Sequence, residues 1–586
     1  LPQGNASYVM GAWRRNHNKD IVDDALLTFG FGDGGGGPTS KDIEMLKRME
    51  YGIPGCPTTE FSNSTEFLSE IKEQSEGQLE KWVGELYFEY HRGTYTSQSE
   101  MKKNNRKSEF ALQNTELFSV IASSLLNVDY PQEKLEEMWK TVLTNQFHDI
   151  LPGSAIKEVY ETANAEEKQV RVECGKLLEN AFKSVADNIE KTGTVVFNPT
   201  SFNCGGTVVV DGKTRYCENI PAKGYTVTDF VPFDGSVAVT EKTIENKYFI
   251  VEFDDCMEIS RIYDKRNSRE VVPQGRTANR IVAFEDYPNN FDAWEIREYY
   301  KEKSYPINDF VSCEEVFDGE RSGLKIIRKF EKSTIKQTIW LYEHIDRIDF
   351  DTKLDWQTEH VLVKAFFPVD VNAEKATFDT QFGNLERSAH ANTSWDKAKF
   401  EVCGHKFADL SDDSYGLSVL NDCKYGYSVR DGEIGLSLLR CPTYPDPDCD
   451  KGEHTFTYSL YPHSGTVRNS EVYKQAYLLN NPLVAAIASG KGGLPERYSF
   501  ASTDKPNVII DTVKRAEDSD DIIVRLFESE NKTTDVNIKF AIDCKKVALC
   551  DLMENELKDL LVKGGVVSLR VKPFEIITLK IFRKTV

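Results

Sequence analysis

Apolar residues recur at helical spacing through the region between residues 111 and 185. One run has apolar side chains at i, i+3, i+4, i+7 and i+8, which predicts an amphipathic helix with one buried face. Its members are Leu135, Met138, Trp139, Val142 and Leu143. Similar runs at 111–125 and 156–185 predict two further helices, and Ser154 stands where the N-cap of the last one is expected. Together the three runs indicate a helical bundle.

From Gly193 onward the period of the pattern changes to two. The clearest runs are 194–197, 207–210, 248–253 and 335–342, and Asp-Gly pairs that favour tight turns separate runs of this kind. Nearly 400 residues with this alternating pattern predict large antiparallel β-sandwiches.

The first 60 residues show a third kind of sequence pattern. An apolar run at 25–29 predicts a strand, a glycine-rich loop follows at 30–37, and a helical pattern covers 41–49. This order is typical of an α/β unit, although the segment is too short to be a whole α/β domain. The fold class is therefore multidomain α+β. The predicted domains are 1–60, 61–191 (helical), 192–490 (β-sandwich) and 491–586 (a C-terminal β-sandwich).

The net charge limits the classes of binding partner that we expect, and the cysteine spacing indicates the cellular compartment. The net charge of −22 argues against nucleic acid and against an anionic membrane surface as partners. No apolar run reaches the ~18 residues of a membrane span, and no signal peptide is visible at the start. The twelve cysteines are scattered without a C-x-x-C pair, which is typical of reduced thiols in a cytoplasmic protein.

The junction of the second and third predicted helices carries the first candidate for chemistry. His148 and Asp149 stand side by side there. An imidazole nitrogen is a common metal ligand, and a neighbouring carboxylate can ligate or orient. The alternative is that Asp149 only caps a turn while His148 bonds a backbone carbonyl. The histidines form no H-x-x-x-H or H-E-x-x-H pair, so no self-contained metal motif accompanies them.

The glycine loop is the second candidate. Its first six residues, Gly30 to Gly35, match G-x-G-x-x-G, which raises dinucleotide binding as a hypothesis. Asp33 counts against it, because a carboxylate inside the loop would repel a pyrophosphate. A glycine-rich loop with one acid also suits the close approach of a neutral ligand to the backbone, and a plain flexible loop is the third alternative.

Two further segments are dense in side chains that suit a sugar. Residues 86–98, including Tyr95, carry many hydrogen-bonding groups and could form a polar wall of a carbohydrate cleft or simply a helix end at Gly93. In the segment 291–296, Asp292 and Trp294 would share one face of a strand. A carboxylate beside an indole can hold hydroxyls and the apolar face of a ring, but such pairs also occur in protein cores.

Taken in order, these segments resemble glycoside hydrolase family 38, the retaining α-mannosidases, and most closely its cytosolic and bacterial class. The resemblance covers almost the whole chain, and its first three segments are specific. The segments that carry it are GFGDGGGGPT at 30–39, LYFEYHRGTYTSQ at 86–98, NQFHDILPGSAI at 145–156, FDAWEI at 291–296, NTSWDKAKFEVCGHKF at 392–407, LNDCKYGYSV at 420–429, GEHTFTYSLYPH at 452–463 and VKPFEIITLKI at 571–581.

The resemblance implies an α/β catalytic barrel, of which residues 1–60 are a C-terminal remnant, then a three-helix bundle and β-sandwich domains. It implies a zinc ion with His148 as one ligand, and Asp33 as the proposed general acid. Asp149, Tyr95, Asp292 and Trp294 are expected to line the sugar site. The implied substrate is a mannose-containing oligosaccharide, whose terminal α-linked mannose is removed; a homo-oligomer remains open.

One part of the resemblance has no counterpart here. The family's remaining zinc ligands and its nucleophilic carboxylate lie before the glycine loop, and the only early histidine, His17, does not match. We therefore expect a chain that lacks the first part of its barrel and is inactive alone. A non-catalytic carbohydrate-binding or scaffold protein of the same fold is the alternative, and a nucleotide-dependent enzyme is a weaker third.

Overall fold

The computed structural model describes residues 3–32 and 35–583, which form two compact units that divide after Tyr87. Asp33, the predicted acid of the glycine loop, lies outside the described residues.

The first unit is built from three helices. They are α1 (Ala6–Arg15), α2 (Ser40–Met49) and α3 (Ser64–Gln74). The predicted helix at 41–49 is confirmed as α2, which begins with a capping box between Thr39 and Asp42.

The strand predicted at 25–29 is wrong, because these residues take no regular structure. A strand needs a neighbour for its backbone groups. The described residues of this unit form only the isolated bridges Phe31–Gly36 and Ile53–Cys56, and no strand that could pair with it.

The second unit begins with two single 3₁₀ turns at Glu89–His91 and Gly93–Tyr95, followed by the predicted bundle. The helices of the unit are α4 (Ser99–Leu126), α5 (Gln132–Asn145), α6 (Lys157–Asp187), α7 (Ser394–Ala398) and α8 (Val472–Asn480). The first three pack around one core cluster that includes Leu112 of α4, Val142 of α5 and Cys174 of α6. The period-3.6 prediction is thus confirmed for this region.

The rest of the unit consists mainly of β-strands. The strands before residue 271 are β1 (Thr192–Asn198), β2 (Cys204–Val210), β3 (Lys213–Ile220), β4 (Gly224–Val227), β5 (Ala238–Thr240), β6 (Thr243–Glu245), β7 (Phe249–Phe253), β8 (Ile259–Asp264) and β9 (Arg269–Glu270). The central strands are β10 (Arg280–Glu285), β11 (Ser304–Pro306), β12 (Asp309–Asp318), β13 (Arg321–Phe330), β14 (Ser333–Tyr342), β15 (Ile348–Trp356), β16 (Val361–Pro368), β17 (Lys375–Thr380), β18 (Gly383–Ser388), β19 (Val402–Cys403), β20 (Phe407–Ser411), β21 (Tyr415–Asn421), β22 (Gly426–Arg430), β23 (Glu433–Arg440) and β24 (Gly452–Ser464). The last strands are β25 (Val484–Ser489), β26 (Arg497–Ser499), β27 (Ala501–Thr503), β28 (Val508–Arg515), β29 (Ile522–Glu528), β30 (Thr534–Phe540), β31 (Cys544–Cys550), β32 (Glu556–Leu560), β33 (Val562–Lys563), β34 (Val566–Val571) and β35 (Ile576–Arg583).

The central strands form a large antiparallel sandwich, as predicted. A nine-stranded sheet has the order β12-β13-β14-β15-β24-β21-β20-β17-β18, and a six-stranded sheet has the order β11-β10-β16-β23-β22-β19. Phe367 of the smaller sheet packs between the two, with its ring 6.2 Å from Phe350 and 5.7 Å from Tyr458 of the larger sheet. Such interdigitated aromatic side chains form the core of a β-sandwich.

A second, smaller sandwich closes the chain. It pairs the sheet β28-β29-β35-β31-β32 with the sheet β27-β30-β34-β33. Its apolar residues belong to the same core cluster as Phe118 of α4 and Val185 of α6. The helical bundle and this sandwich therefore share one hydrophobic core.

Two further features concern membrane-spanning helices and disulfide bonds. Among the described residues, no helix has both the length and the apolar character needed to cross a membrane. None of the twelve cysteines forms a disulfide bond.

Candidate active site

The loop between α5 and α6 presents the His-Asp pair. Asn145, the last residue of α5, is buried and donates a hydrogen bond to Glu166 (3.2 Å). The predicted N-cap role of Ser154 is wrong, because α6 begins only at Lys157, after the extended Ile156. The hydroxyl and backbone N–H of Ser154 instead donate to the carbonyl of Asp149 at 3.4 and 3.3 Å. Ser154 therefore links its own end of the loop to Asp149.

A buried lysine holds the backbone of this loop in place. Lys102 of α4 donates hydrogen bonds to the carbonyls of Leu151 (3.0 Å), Pro152 (3.2 Å) and Ser97. Burial lowers the pKa of the Lys102 ammonium, and the attraction of the buried Asp450 opposes that shift. Since a buried ammonium is stable only with several partners, the three carbonyls and the charge of Asp450 explain why Lys102 can hold the loop.

His148 and Asp149 point away from this anchor. Their side chains are 79% and 52% exposed, and Nε2 of His148 lies 3.6 Å from Oδ2 of Asp149. The ring of Phe147 lies 4.2 Å from the imidazole. The pair is thus exposed on a loop whose backbone is held by hydrogen bonds from Lys102.

The segment 89–98 lies next to this loop. Ser97 contacts Gly153, and Arg92 forms a buried ion pair with Glu295 (3.1 Å) while its guanidinium stacks on the Phe400 ring. Burial raises the pKa of Glu295, and the neighbouring Arg92 opposes that shift. Tyr95, predicted to line the site, is half-buried in the second 3₁₀ turn.

Asp292 and Trp294 lie in a turn, so the prediction that they share one face of a strand is wrong. The turn forms because the Phe291 carbonyl accepts hydrogen bonds from the N–H groups of Trp294 (2.9 Å) and Glu295 (3.0 Å). Oδ2 of Asp292 accepts from the N–H of Thr443 (2.7 Å), whereas its buried Oδ1 has no hydrogen-bond partner within the described part of the chain.

Arg440 joins these segments and was not foreseen from the sequence. The side chain is fully buried; it donates to Oγ of Ser97 (3.1 Å) and to the carbonyl of Glu295 (2.7 Å), and it pairs with Asp286. Gly93 lies against the same guanidinium, and a β-carbon there would come within 2.7 Å of Nη1. The sequence signal was that Arg440 directly follows the apolar pair Leu438-Leu439 at the end of β23, where a buried arginine needs partners.

The structure therefore brings three of the predicted segments into contact. The His148 loop touches 89–98 through Gly153 and Ser97, and 89–98 touches 291–297 through the hydrogen bond from Gly93 N–H to the Trp294 carbonyl (2.7 Å). Asp33 belongs to the other unit and lies outside the described residues.

The family resemblance implies a zinc ion, and the residues present can be tested against it. Stable zinc sites have three or four protein ligands, whereas the described surroundings of His148 offer that imidazole and Asp149. One group of three potential ligands exists elsewhere within residues 3–32 and 35–583, namely Glu320, Glu343 and His344.

That group has structural partners already. Oε1 of Glu343 accepts the N–H groups of Gly235 (2.6 Å) and Ser236 (3.0 Å), and both oxygens of Glu320 bond Nδ1 of His344. The described residues thus do not by themselves fit a complete zinc site.

Comparison with known proteins gives a consistent series of family matches. The chain matches the glycosyl hydrolases family 38 N-terminal domain over 2–85, the alpha mannosidase middle domain over 89–185, the family 38 C-terminal domain over 244–448 and its C-terminal beta sandwich domain over 507–579.

Curated proteins similar to this chain are also named alpha-mannosidases. The chain is 32% identical to alpha-mannosidase G of Dictyostelium discoideum and 32% identical to alpha-mannosidase 2C1 of Homo sapiens, over 96% and 98% of its own length. It spans 58% of the length of each relative.

A solved structure has the same fold. The crystal structure of an alpha-mannosidase from Enterococcus faecalis V583 superimposes with a TM-score of 0.78 at 16% identity, covering 93% of this chain and 75% of that one.

Proposed function

Because this chain belongs to glycosyl hydrolase family 38, we propose that it is part of a retaining α-mannosidase that removes terminal α-linked mannose from oligosaccharides. The observation that carries the proposal is that four family matches follow one another along the chain, with the first starting at residue 2 and the last ending at residue 579. The names of the relatives at 32% identity support the same reaction.

The geometry of the His148 loop supports a role in that reaction. Its backbone is fixed by Lys102 and Gly153, while the His148 and Asp149 side chains remain exposed. Sites that hold a ligand in one orientation need such rigid support behind exposed functional groups. We assign His148 as one ligand of a divalent metal ion, zinc in the family resemblance, with Asp149 beside it at the sugar.

Tyr95, Asp292 and Trp294 are assigned to sugar contacts in this proposal. Oδ1 of Asp292 lies 3.9 Å from Nη2 of Arg440 but accepts no hydrogen bond within the described residues, so it is an acceptor suited to a hydroxyl, and the half-buried indole of Trp294 offers an apolar face. Because the described residues supply too few ligands for zinc, no chemical step is assigned to a metal.

Asp33 is proposed as the general acid on the resemblance alone. In a retaining reaction such an acid gives its proton to the glycosidic oxygen while a carboxylate bonds the anomeric carbon. Water later releases the sugar after giving a proton back to the first carboxylate. The matching nucleophile is not among the residues assigned here, so inactivity of the 586 residues alone stays a prediction.

The test of the function is mannose release by a protein that contains these residues. The anomer released from an α-linked mannobiose is followed by NMR, for the unsubstituted protein and for the variant His148→Ala. His17→Ala is the matched control, because His17 is also exposed and matches no family ligand. We expect the α-anomer first, a large loss with His148→Ala and none with His17→Ala.

Two results would refute the proposal. Saturable mannoside binding without any turnover, in a protein that also contains the family's barrel residues, would favour the non-catalytic carbohydrate-binding alternative. Release of the β-anomer first would contradict the retaining mechanism.

A further inference from the structure

A cavity of about 470 Å³ opens beside the sandwich, outside the site already described. Its wall combines two tyrosine rings with carboxylates and a lysine: Glu285, Tyr287, Tyr305, Lys329, Glu331 and Glu359. This volume lies within the ~300–1,000 Å³ range of small-molecule sites. The cavity is therefore large enough for a few sugar rings or a ligand of similar size.

The two tyrosine rings are exposed yet held in place. Tyr287 is 57% exposed and stacks on the His360 ring at 4.4 Å with an interplanar angle of 25°. Tyr305 is 44% exposed, and its hydroxyl donates a hydrogen bond to Oε1 of Glu285 (3.0 Å). Rigid aromatic faces contribute contact area to a ligand at little cost in conformational entropy.

Two of the four carboxylates of the wall, Glu285 and Glu359, are paired with lysines. Lys303 bonds both oxygens of Glu285 at 2.8 and 2.9 Å, and Lys451 pairs with Glu359 at 2.6 Å. Those hydrogen bonds lower the pKa of both carboxyl groups, which therefore remain acceptors at neutral pH. The paired acids favour a neutral polyol over a free cation, for which the lysines compete, and the further acids Asp309 and Glu331 add negative charge that would repel a phosphate.

The cavity is connected to the candidate active site by direct contacts. His360 stacks on the Tyr287 ring, and its Nε2 atom lies 3.1 Å from the Thr443 hydroxyl. The N–H of Thr443 donates a hydrogen bond to Asp292. The neighbour of Glu285, Asp286, pairs with Arg440, which in turn bonds Ser97. The wall of the cavity and the segments of the candidate active site are thus joined by packed side chains, of which Asp286, Arg440 and Ser97 are buried.

From these observations we propose that the cavity between Tyr287 and Tyr305 is an outer binding site for a neutral mannose-containing oligosaccharide, which holds sugar units remote from the bond that is cleaved. This inference rests on the proposed function for its choice of sugar, but it concerns a separate site. The rings stack on the apolar faces of the sugar, and Glu285, Glu331 and Glu359 accept its hydroxyl groups.

The experiment measures binding without turnover. An α-linked mannotriose is titrated into the protein by calorimetry, and saturation-transfer NMR identifies the sugar rings in contact. We expect Tyr287→Ala and Tyr305→Ala each to weaken binding about tenfold, because each removes an aromatic stacking surface. Tyr305→Phe keeps the ring and should retain most of the affinity.

The matched control is Phe317→Ala. Phe317 is 68% exposed and lies at the far end of β12 from Asp309, which borders the cavity. This variant should bind mannotriose as the unsubstituted protein does, and circular dichroism verifies that all variants are folded.

Four results would overturn the inference: no saturable binding of mannotriose; unchanged affinity in both alanine variants; displacement of the sugar by tetramethylammonium, which indicates a cation site; or equal binding of cellotriose. Since no catalysis is measured, the two proposals can fail separately: a protein that also contains the family's barrel residues and binds mannotriose at these tyrosines but releases no mannose would refute the proposed function and leave the outer site standing.

Discussion

Gly153 lies so close to Ser97 that a β-carbon at residue 153 would come within 2.3 Å of the Ser97 carbonyl oxygen. Gly153 also has φ = +90°, a conformation that side chains rarely adopt. The contact therefore requires glycine on two grounds, space and backbone angle. It places the loop of His148 against the segment that carries Tyr95.

Gly153→Ala should destabilise this loop and the folded protein. Strain at such a position costs about 1–3 kcal/mol, and the contact with Ser97 adds to it. Urea unfolding measures the loss, and hydrogen exchange of residues 146–156 locates it. Gly175→Ala is the control, because Gly175 is in α6 with nothing within 4 Å of an added β-carbon. That change should stabilise the helix slightly; equal losses in both variants would contradict the explanation.

Glu116 gives the protein a predictable dependence on pH. Burial raises the pKa of this carboxyl to about 7, against an ordinary value of 4.5, although a hydrogen bond from Trp139 (2.9 Å) opposes the shift. A raised pKa in the folded state contributes stability that is complete below 4.5 and is lost as the pH rises through 7.

Glu116→Gln should therefore match the unsubstituted protein near pH 4.5 and exceed its free energy of unfolding by up to about 3 kcal/mol at pH 8. Urea unfolding at both pH values measures this difference. The exposed Glu179→Gln on α6 is the control and should show no such trend. A constant difference between Glu116→Gln and the unsubstituted protein at the two pH values would mean that Glu116 does not titrate in this window.

Zinc should bind this chain weakly and through His148. A four-ligand structural site binds zinc by about 10–16 kcal/mol, and two ligands in an exposed loop will fall far below that. In a calorimetric titration, His148→Ala should abolish the weak binding while His344→Ala, in the satisfied cluster with Glu320, leaves it unchanged. Tight stoichiometric binding that survives His148→Ala would show that the ligand set is a different one.

Asp33→Asn should affect substrates unequally in a protein that contains these residues and releases mannose. A general acid matters most when the leaving group is poor, because an activated phenol departs without a proton. Rates on an α-linked mannobiose should thus fall much more than rates on a nitrophenyl mannoside. Equal losses would make Asp33 a binding residue, with the acid elsewhere.

Local patterns predicted the helices and strands well where burial and period agree. Leu135, Met138 and Val142 are buried as their spacing requires. Leu143 shares that spacing but is exposed, because it borders a groove between the bundle and the sandwich rather than the core. The period of a helix marks a face and does not say how wide the buried part of the face is.

The errors have a common physical cause. The expected strand at 25–29 needed a pairing partner, and the expected cap at Ser154 depended on where α6 begins. The side chain of Asp292 finds its partner in Thr443, 151 residues away. Arg440 and Lys102 were missed for the same reason, since each finds its partners in distant segments. Sequence spacing reports neighbours within one element and is silent about these contacts.

Lys102 determines how the chain can be divided in the laboratory. Lys102 is in α4, and two of its carbonyl partners, Leu151 and Pro152, are in the loop after α5. Asp450, whose charge attracts the Lys102 ammonium, also accepts the N–H of Ser99 from 351 residues away (2.7 Å). A fragment that ends with the bundle would keep the lysine and lose its counter-charge. Excised as a module, residues 89–185 would carry His148 on a loop of altered shape, so recombinant dissection of this protein has to keep the bundle and the sandwich in one polypeptide.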